Sequence, residues 1–172
     1  MIVRVVILVC AVLGALGPAA ADVFLAREPG FQLADRLVLR KAERRLTLYR
    51  DGQPLRNYRV SLGLLPTGDK EQEGDFRTPE GRYTLTRRNP ESEFFLAIQV
   101  SYPDPSDVAA AERNGVSPGG LIMIHGLPNV MRHSRDRYLA TDWTDGCIAL
   151  SNEDMLEVWL LTRPGLPIEI TP

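Results

Sequence analysis

The chain has 172 residues, of which 20 are Lys or Arg and 22 are Asp or Glu, so its formal net charge is −2. Hydrophobic residues make up 44% of it, which is enough to build the core of one domain. The nearly balanced charge argues against a nucleic-acid-binding protein. A basic cluster near the start of the domain interleaves with apolar positions and predicts a solvated strand face: Arg36, Arg40, Lys41, Arg44 and Arg45.

The first 21 residues have the pattern of a secretory signal peptide. An apolar run over residues 5–16 is followed by a helix-breaking Gly-Pro pair and by small residues at 19–21, which suit a signal peptidase. The run is shorter than the roughly 20 apolar residues that a membrane-spanning helix needs. We therefore expect cleavage before Asp22, export to the periplasm without a stable membrane span, and one mature domain over residues 22–172. An uncleaved N-terminal anchor is the alternative.

The first half of the mature sequence predicts short strands. Asp51-Gly52 is typical of a hairpin turn. Residues 63–81 are rich in Gly, Pro and charge, so they predict a long surface loop. Runs of β-prone residues predict strands at 37–39, 46–49, 58–62, 82–86 and 94–102.

The second half predicts small helices between further strands. Ser106 is the expected N-cap of the first helix, and a capping box from Ser151 to Asp154 opens the second. The predicted elements are a helix at 106–113, strands at 121–124 and 148–150, a helix at 153–162 and a strand at 167–170. The chain is therefore expected to form a single, mainly β domain with one or two small helices.

Cys147 would be the only cysteine of the mature chain, because Cys10 lies in the predicted signal segment. A lone thiol in an exported protein makes no internal disulfide, which leaves a reactive thiol, an intermolecular bridge or a buried bystander. A cysteine nucleophile needs a nearby imidazole and N–H donors for the oxyanion, and His125 follows an apolar strand. Gly146 can adopt a positive φ and keeps the Cys147 N–H uncrowded. Gly126 leaves room beside the imidazole, and its carbonyl is the candidate acceptor for the Nδ1 proton.

Plainer interpretations of these residues stay open. Cys147 can equally be a small buried side chain, and His125 can be a structural histidine. His133, in a polar loop, is the competing base, although a solvated loop position explains it as well. One cysteine and two histidines at these spacings do not make a zinc pattern, so neither a metal nor a cofactor is predicted.

The two constellations together resemble the signature of the YkuD-type L,D-transpeptidases. His125 with Gly126, followed after a loop by residues 144–148 (Thr-Asp-Gly-Cys-Ile), is similar to that family's His-Gly and Ser/Thr-x-Gly-Cys motifs. Residues 78–81 (Thr-Pro-Glu-Gly) match its Thr-Pro-x-Gly turn, and residues 68–70 (Gly-Asp-Lys) are similar to the YafK branch. The resemblance implies one catalytic domain with a mixed β-sandwich or barrel-like fold, in an exported enzyme that acts on peptidoglycan stem peptides.

The resemblance also implies a thioester mechanism. His125 would take the Cys147 proton, and the thiolate would attack the carbonyl at the L-centre of meso-diaminopimelate, with D-alanine leaving. Attack by an amine would then give a cross-link, and attack by water would give cleavage. Orienting or oxyanion roles are implied for four neighbours: Gly126, Gly146, Asp145 and Thr144.

Three further candidate residues have two interpretations each. Asp145 can take part in the site or only cap the turn. Trp143 and Tyr102 can flank a groove for an extended stem peptide, or they can be packed in the aromatic core.

Two departures from the family pattern leave the acyl acceptor open. Many members have arginine where this chain has Ala149, and the loop between His125 and Cys147 is longer than in many members. The branch resemblance implies hydrolysis as well as transfer, including release of an outer-membrane lipoprotein from peptidoglycan. A non-catalytic wall-binding module is a further alternative. A papain-type peptidase is set aside, because that family places its cysteine before its histidine.

Overall fold

The computed structural model describes residues 32–172, and within them it contains eight β-strands and three α-helices. The strands are β1 (Arg36–Arg40), β2 (Arg45–Arg50), β3 (Gln53–Arg59), β4 (Gly81–Ser92), β5 (Phe95–Val100), β6 (Met123–His125), β7 (Ile148–Ala149) and β8 (Pro167–Thr171). The helices are α1 (Pro105–Arg113), α2 (Arg135–Ala140) and α3 (Asn152–Leu161). The predicted signal peptide, residues 1–21, lies outside the described residues. No helix in the described range is long and apolar enough to cross a bilayer.

The eight described strands form one mixed sheet in the order β3-β2-β1-β8-β4-β5-β6-β7. Neighbouring strands are antiparallel, except that β1 is parallel to β8 and β6 is parallel to β7. The two edges of the sheet also meet just beyond β3, where Ser61 exchanges backbone hydrogen bonds of 2.9 and 2.8 Å with Ala149 of β7. This bridge closes the sheet towards a barrel, and the expectation of a mainly β domain with small helices is confirmed.

Buried apolar side chains hold together the two strands, β6 and β7, that position the candidate site. Ile124 of β6 and Ile148 of β7 are fully buried and directly paired in register. Each such side chain stabilises the fold by about 1.5–3 kcal/mol through burial. The core therefore fixes the strand that ends at His125 next to the segment that carries Cys147.

The N-cap predicted for α1 is wrong. Asp104, not Ser106, caps the helix: its carboxylate accepts hydrogen bonds from the N–H groups of Ser106 at 2.7 Å and of Asp107 at 3.0 Å. The Asp107 carboxylate accepts in return from the Asp104 N–H at 2.8 Å, which completes a capping box. Pro105 takes the first helical position, where a missing N–H leaves no hydrogen bond unmade.

Helix α2 was not predicted, because its six residues, three of them charged, are too few to show an apolar periodicity. Ser134 caps it by accepting a hydrogen bond from the Arg137 N–H at 3.3 Å. Helix α3 begins one residue earlier than expected, with Ser151 as the predicted N-cap accepting from the Asp154 N–H at 3.0 Å.

All eight described strands differ from their predicted limits by at least one residue, and β3, β4 and β6 are among them. The run predicted at 58–62 contains only the end of β3, and the residues beyond it join the sheet through single bridges. Strand β4 continues to Ser92 past irregularities in its pairing with β5. Strand β6 begins at Met123, because Leu121 has a φ of 56° and a side chain that is 70% exposed.

Candidate functional site

Strands β5, β6 and β7 bring His125 and Cys147 to one cleft. His125 ends β6, where it pairs with Ala97 of β5, and Cys147 immediately precedes β7. Both side chains line a cleft of about 510 Å³, which we call the cysteine cleft. Its other walls include Phe94 and Trp143.

The His125 imidazole is buried beneath aromatic rings. Only 4% of the residue is exposed, and its ring centroid lies 4.7 Å from that of Phe94 and 5.6 Å from that of Trp143. Its Nδ1 is 2.7 Å from the Gly126 carbonyl oxygen, so the tautomer that donates this hydrogen bond has Nε2 as its basic nitrogen. Burial lowers the pKa of His125 to about 4, although the Gly126 carbonyl favours the charged form. The ring is therefore a neutral base at neutral pH.

The backbone next to His125 is held in place by Gly126. The Gly126 N–H donates to the carbonyl oxygen of Phe94 at 3.0 Å. A Cβ at this position would lie 2.7 Å from Oδ1 of Asn152 and 2.9 Å from Cβ of Phe95, so a larger residue would push the strand apart. Glycine is thus required here by close packing, and the packing orients the carbonyl that accepts from the imidazole.

Cys147 is half-buried, and its Sγ lies 3.7 Å from the carbonyl oxygen of Leu121. Burial raises the pKa of the thiol, and the Asp145 carboxylate also raises it, whereas a hydrogen bond with the Met123 backbone and the positive charge of Lys70 act in the opposite direction. Because the His125 pKa is lowered and the Cys147 pKa is raised, the cleft holds a thiol and a neutral imidazole rather than a preformed thiolate–imidazolium pair.

The turn before Cys147 is braced by Thr144. The Thr144 hydroxyl donates to the Cys147 carbonyl oxygen at 2.7 Å and accepts from the Gly146 N–H at 3.2 Å. Gly146 has a φ of 128°, and a Cβ there would lie 2.6 Å from the carbonyl oxygen of Arg77. Within residues 32–172 the Cys147 N–H makes no hydrogen bond. Asp145 is exposed at the rim, and among those same residues its carboxylate accepts no hydrogen bond, so Thr144 caps the turn.

The loop at residues 63–81 packs behind this turn, and sequence reasoning missed the buried charge that holds it. Lys70 is 6% exposed, and its Nζ donates to the Asp75 carboxylate at 2.7 Å and to the Gln72 carbonyl oxygen at 3.0 Å. Burial alone would raise the pKa of Asp75, but Lys70 and three backbone N–H groups hold it below its ordinary value. A Cβ at Gly63 would overlap the carbonyl oxygen of Phe76, so this loop lies directly against the chain leading to the site.

Lys41 holds the same loop from the other side, and its predicted place on a solvated strand face is wrong. The residue is 2% exposed. Its Nζ donates to the Gly68 carbonyl oxygen, to the Thr78 carbonyl oxygen at 2.8 Å and to the Glu80 carboxylate at 2.8 Å. A buried ammonium needs such partners. The acidic residues of the loop were the available signal for buried ion pairs, although the sequence does not show which lysine pairs with which carboxylate.

The remaining candidate residues, Trp143, Tyr102 and His133, do not all line the cysteine cleft. Trp143 borders the cysteine cleft, as expected for a groove residue. Tyr102 does not line this cleft: it is 3% exposed, and its hydroxyl donates to the Pro118 carbonyl oxygen at 2.8 Å, so it belongs to the core. His133 is exposed and lines a neighbouring cleft. Among residues 32–172, no group of three or more His, Cys, Asp or Glu side chains is arranged to hold a metal ion.

Comparison with known proteins identifies the family of this domain. The family model of the YkuD L,D-transpeptidase catalytic domain matches residues 34–170, which include His125 and Cys147. The chain belongs to the YkuD family. YafK of Escherichia coli strain K12 is 27% identical to it over 176 residues, which cover 92% of this chain and 63% of YafK. The chain thus spans less than two-thirds of the length of this curated relative.

Solved structures of related proteins share the fold. The helical cell shape determining protein Pgp2 from Campylobacter jejuni is 27% identical, with a TM-score of 0.58, over 87% of this chain and 54% of Pgp2. An L,D-transpeptidase from Mycobacterium smegmatis is 18% identical, with a TM-score of 0.54, over 81% of this chain and 59% of its own. The second likeness concerns the fold alone, and both agree with the β-rich architecture of a YkuD domain.

Proposed function

We propose that this YkuD-family protein is an exported cysteine L,D-transpeptidase that acts on peptidoglycan stem peptides through a thioester at Cys147. One observation carries the proposal: Cys147 and His125 come from adjacent segments of one sheet and line the same cleft. The membership of the YkuD family supports the reaction class.

In the proposed first step, Nε2 of His125 takes the Sγ proton while the thiolate attacks the carbonyl at the L-centre of meso-diaminopimelate. Because both groups start neutral, proton transfer accompanies attack instead of preceding it. The Gly126 carbonyl oxygen, 2.7 Å from Nδ1, then stabilises the imidazolium that forms. This contact supports Gly126 as the group that orients the base.

The oxyanion of the tetrahedral intermediate needs N–H donors that are free to receive it. The Cys147 N–H fits this role, because it is unpaired among residues 32–172. The Gly146 N–H is already engaged by Thr144. We therefore assign the oxyanion to the Cys147 N–H, and we assign Thr144 and Gly146 to shaping the turn.

In the step that completes acylation, His125 gives its proton to the departing amine, and the C–N bond breaks to leave the thioester. Attack by an amine on the thioester forms a new peptide bond and regenerates the thiol, whereas attack by water releases a carboxylic acid. A hydrolytic enzyme that frees an outer-membrane lipoprotein from peptidoglycan would use the same steps with water as acceptor. The location of either reaction would be the periplasm, reached through the signal peptide predicted at residues 1–21.

Trapping of the acyl-enzyme tests the chemistry. Incubation with a carbapenem or a tetrapeptide donor should add mass to Cys147, and Cys147→Ala should abolish turnover of disaccharide tetrapeptide. His125→Ala should also abolish turnover, whereas His133→Ala, the control at an exposed position, should retain it. Full activity of Cys147→Ala would end the nucleophile proposal, and the opposite pattern for the two histidines would reassign the base.

Mass spectrometry of purified sacculi treated with the protein separates the possible outcomes. New cross-links indicate transfer, and shortened or freed stem peptides indicate hydrolysis. Binding to sacculi with no acylation of Cys147 would instead support a non-catalytic wall-binding module.

A further inference from the structure

A second, larger cleft adjoins the cysteine cleft. It measures about 850 Å³, and Phe94 and Trp143 form a wall common to both clefts. Its far side is built from the loop between β6 and β7 and from α2, and it carries Arg132 and Arg137. We call it the arginine cleft. His125 lines the cysteine cleft and packs against both shared aromatic rings, so the proposed base lies on the cysteine-cleft side of the shared wall.

The two arginines in this cleft have no ion-pair partner in the part of the chain that the structure describes. Arg44 pairs with Asp142 at 2.8 Å, and other arginines of the domain pair with Asp or Glu in the same way. Among residues 32–172, no carboxylate pairs with the guanidinium of Arg132 or Arg137. Asp142 lines the cleft but is already neutralised by its own arginine, so Glu93 at the rim is the one opposing charge among the lining residues. The cleft is therefore suited to an anion.

The loop that carries the arginines is tied to the catalytic end of the sheet. The Tyr138 hydroxyl accepts from the backbone N–H of Arg132 at 3.2 Å, and the Tyr138 carbonyl oxygen accepts from Nε1 of Trp143 at 3.0 Å. Asn129 fastens the start of the loop to the β4–β5 hairpin through the Phe95 N–H at 3.0 Å. These contacts give the arginine cleft a preformed wall that is continuous with Trp143.

We propose that the arginine cleft binds the free carboxylate of the leaving amine, through Arg132 and Arg137. This rests on the proposed function, in which His125 protonates the departing nitrogen. Because His125 and Cys147 both line the cysteine cleft, the acyl group would occupy that cleft and the amine side would extend past Phe94 and Trp143 towards the arginines. In the D-alanine leaving group the carboxylate is one carbon from the nitrogen, and a guanidinium can bind it through two parallel hydrogen bonds.

The test compares two substrates that differ only in the charge of the leaving group. The full chain is assayed with a disaccharide tetrapeptide that ends in D-alanine and with the same compound ending in D-alaninamide. Variants Arg132→Gln, Arg137→Gln and the double variant are compared with the control Arg113→Gln, an exposed arginine in α1 that lines neither cleft. Alkylation of Cys147 by iodoacetamide, a neutral reagent, checks that each variant keeps a folded, accessible site.

The wild-type protein is expected to favour the carboxylate substrate in kcat/KM by roughly 10- to 100-fold, the range for charge-assisted hydrogen bonds. The double variant should lose this preference by acting more slowly on the carboxylate substrate alone, and Arg113→Gln should retain it. A preference that persists in the double variant, or that is absent from the wild type, would overturn the assignment. No turnover of either substrate by the wild type would overturn the proposed function as well, so the two failures are distinguishable.

Discussion

Lowering the pH from 7 to 5 is expected to destabilise the folded domain because His125 is buried as a neutral base. An unfolded histidine has a pKa near 6.5, and burial lowers the pKa of His125 in the folded state to about 4. Between these values the unfolded chain binds a proton that the folded chain does not bind, so stability falls as the pH falls. The stability that comes from keeping His125 neutral is fully present above about pH 6.5 and is lost as the pH falls towards about 4.

The magnitude follows from the two pKa values. The full shift corresponds to about 3 kcal/mol, and integration from pH 7 to pH 5 gives about 2 kcal/mol. The chain has two histidines, so few other groups titrate in this interval. Burial also raises the pKa of Asp107, which would favour the folded state on further acidification, and a lower limit of pH 5 keeps that effect small.

Urea unfolding followed by tryptophan fluorescence at the two pH values measures this loss. The wild-type protein and His133→Gln should each lose about 2 kcal/mol of unfolding free energy between pH 7 and pH 5, whereas His125→Gln should lose less than about 0.5 kcal/mol. An equal loss in His125→Gln, or no loss in the wild type, would refute the claim that the imidazole is buried in its neutral form.

Two further predictions concern the frame of the cysteine turn. Gly146→Ala should cost roughly 2–5 kcal/mol of unfolding free energy and most of the activity, because the added Cβ would meet a carbonyl oxygen. The control is Gly165→Ala, at a glycine with a φ of 86° and open space around it, which should cost about 1–2 kcal/mol. Urea unfolding measures both losses. Lys70→Met should cost about 2–4 kcal/mol by leaving Asp75 buried without its cation, whereas Arg56→Met, in a surface ion pair, should cost less than about 1 kcal/mol. A Lys70→Met loss no larger than that of Arg56→Met would contradict the buried role of this pair.

The candidate site could be predicted from the sequence because its parts are short and local. His125 follows an apolar strand, and Cys147 follows a glycine in a polar turn, so each motif is visible within a few residues. Their meeting in one cleft depends on the parallel pairing of β6 with β7 across the long intervening loop. No local pattern specifies that pairing, and only the family resemblance indicated that His125 and Cys147 act together.

Other features of the structure could not be predicted from local sequence patterns. Lys41 stands in a basic cluster, and its partners lie 27, 37 and 39 residues further along the chain, so nothing nearby marks it as buried. Helix α2 is too short and polar for periodicity to reveal it. The cap of α1 was within reach: Pro105 favours the first helical position, which makes Asp104 the residue before it.

The two departures from the family pattern fit a single structural interpretation. Ala149 is 2% exposed, and its backbone is bonded to Ser61 on the opposite edge of the sheet, so this position offers no charge to the site. The long loop between His125 and Cys147 instead presents Arg132 and Arg137 from the far side of Trp143. In this chain the two arginines beside the wall that the clefts share therefore lie on the segment before Cys147 and not on the strand after it. In the proposed binding mode a substrate carboxylate is held from the side of this loop, which would select the amine that departs as the thioester forms.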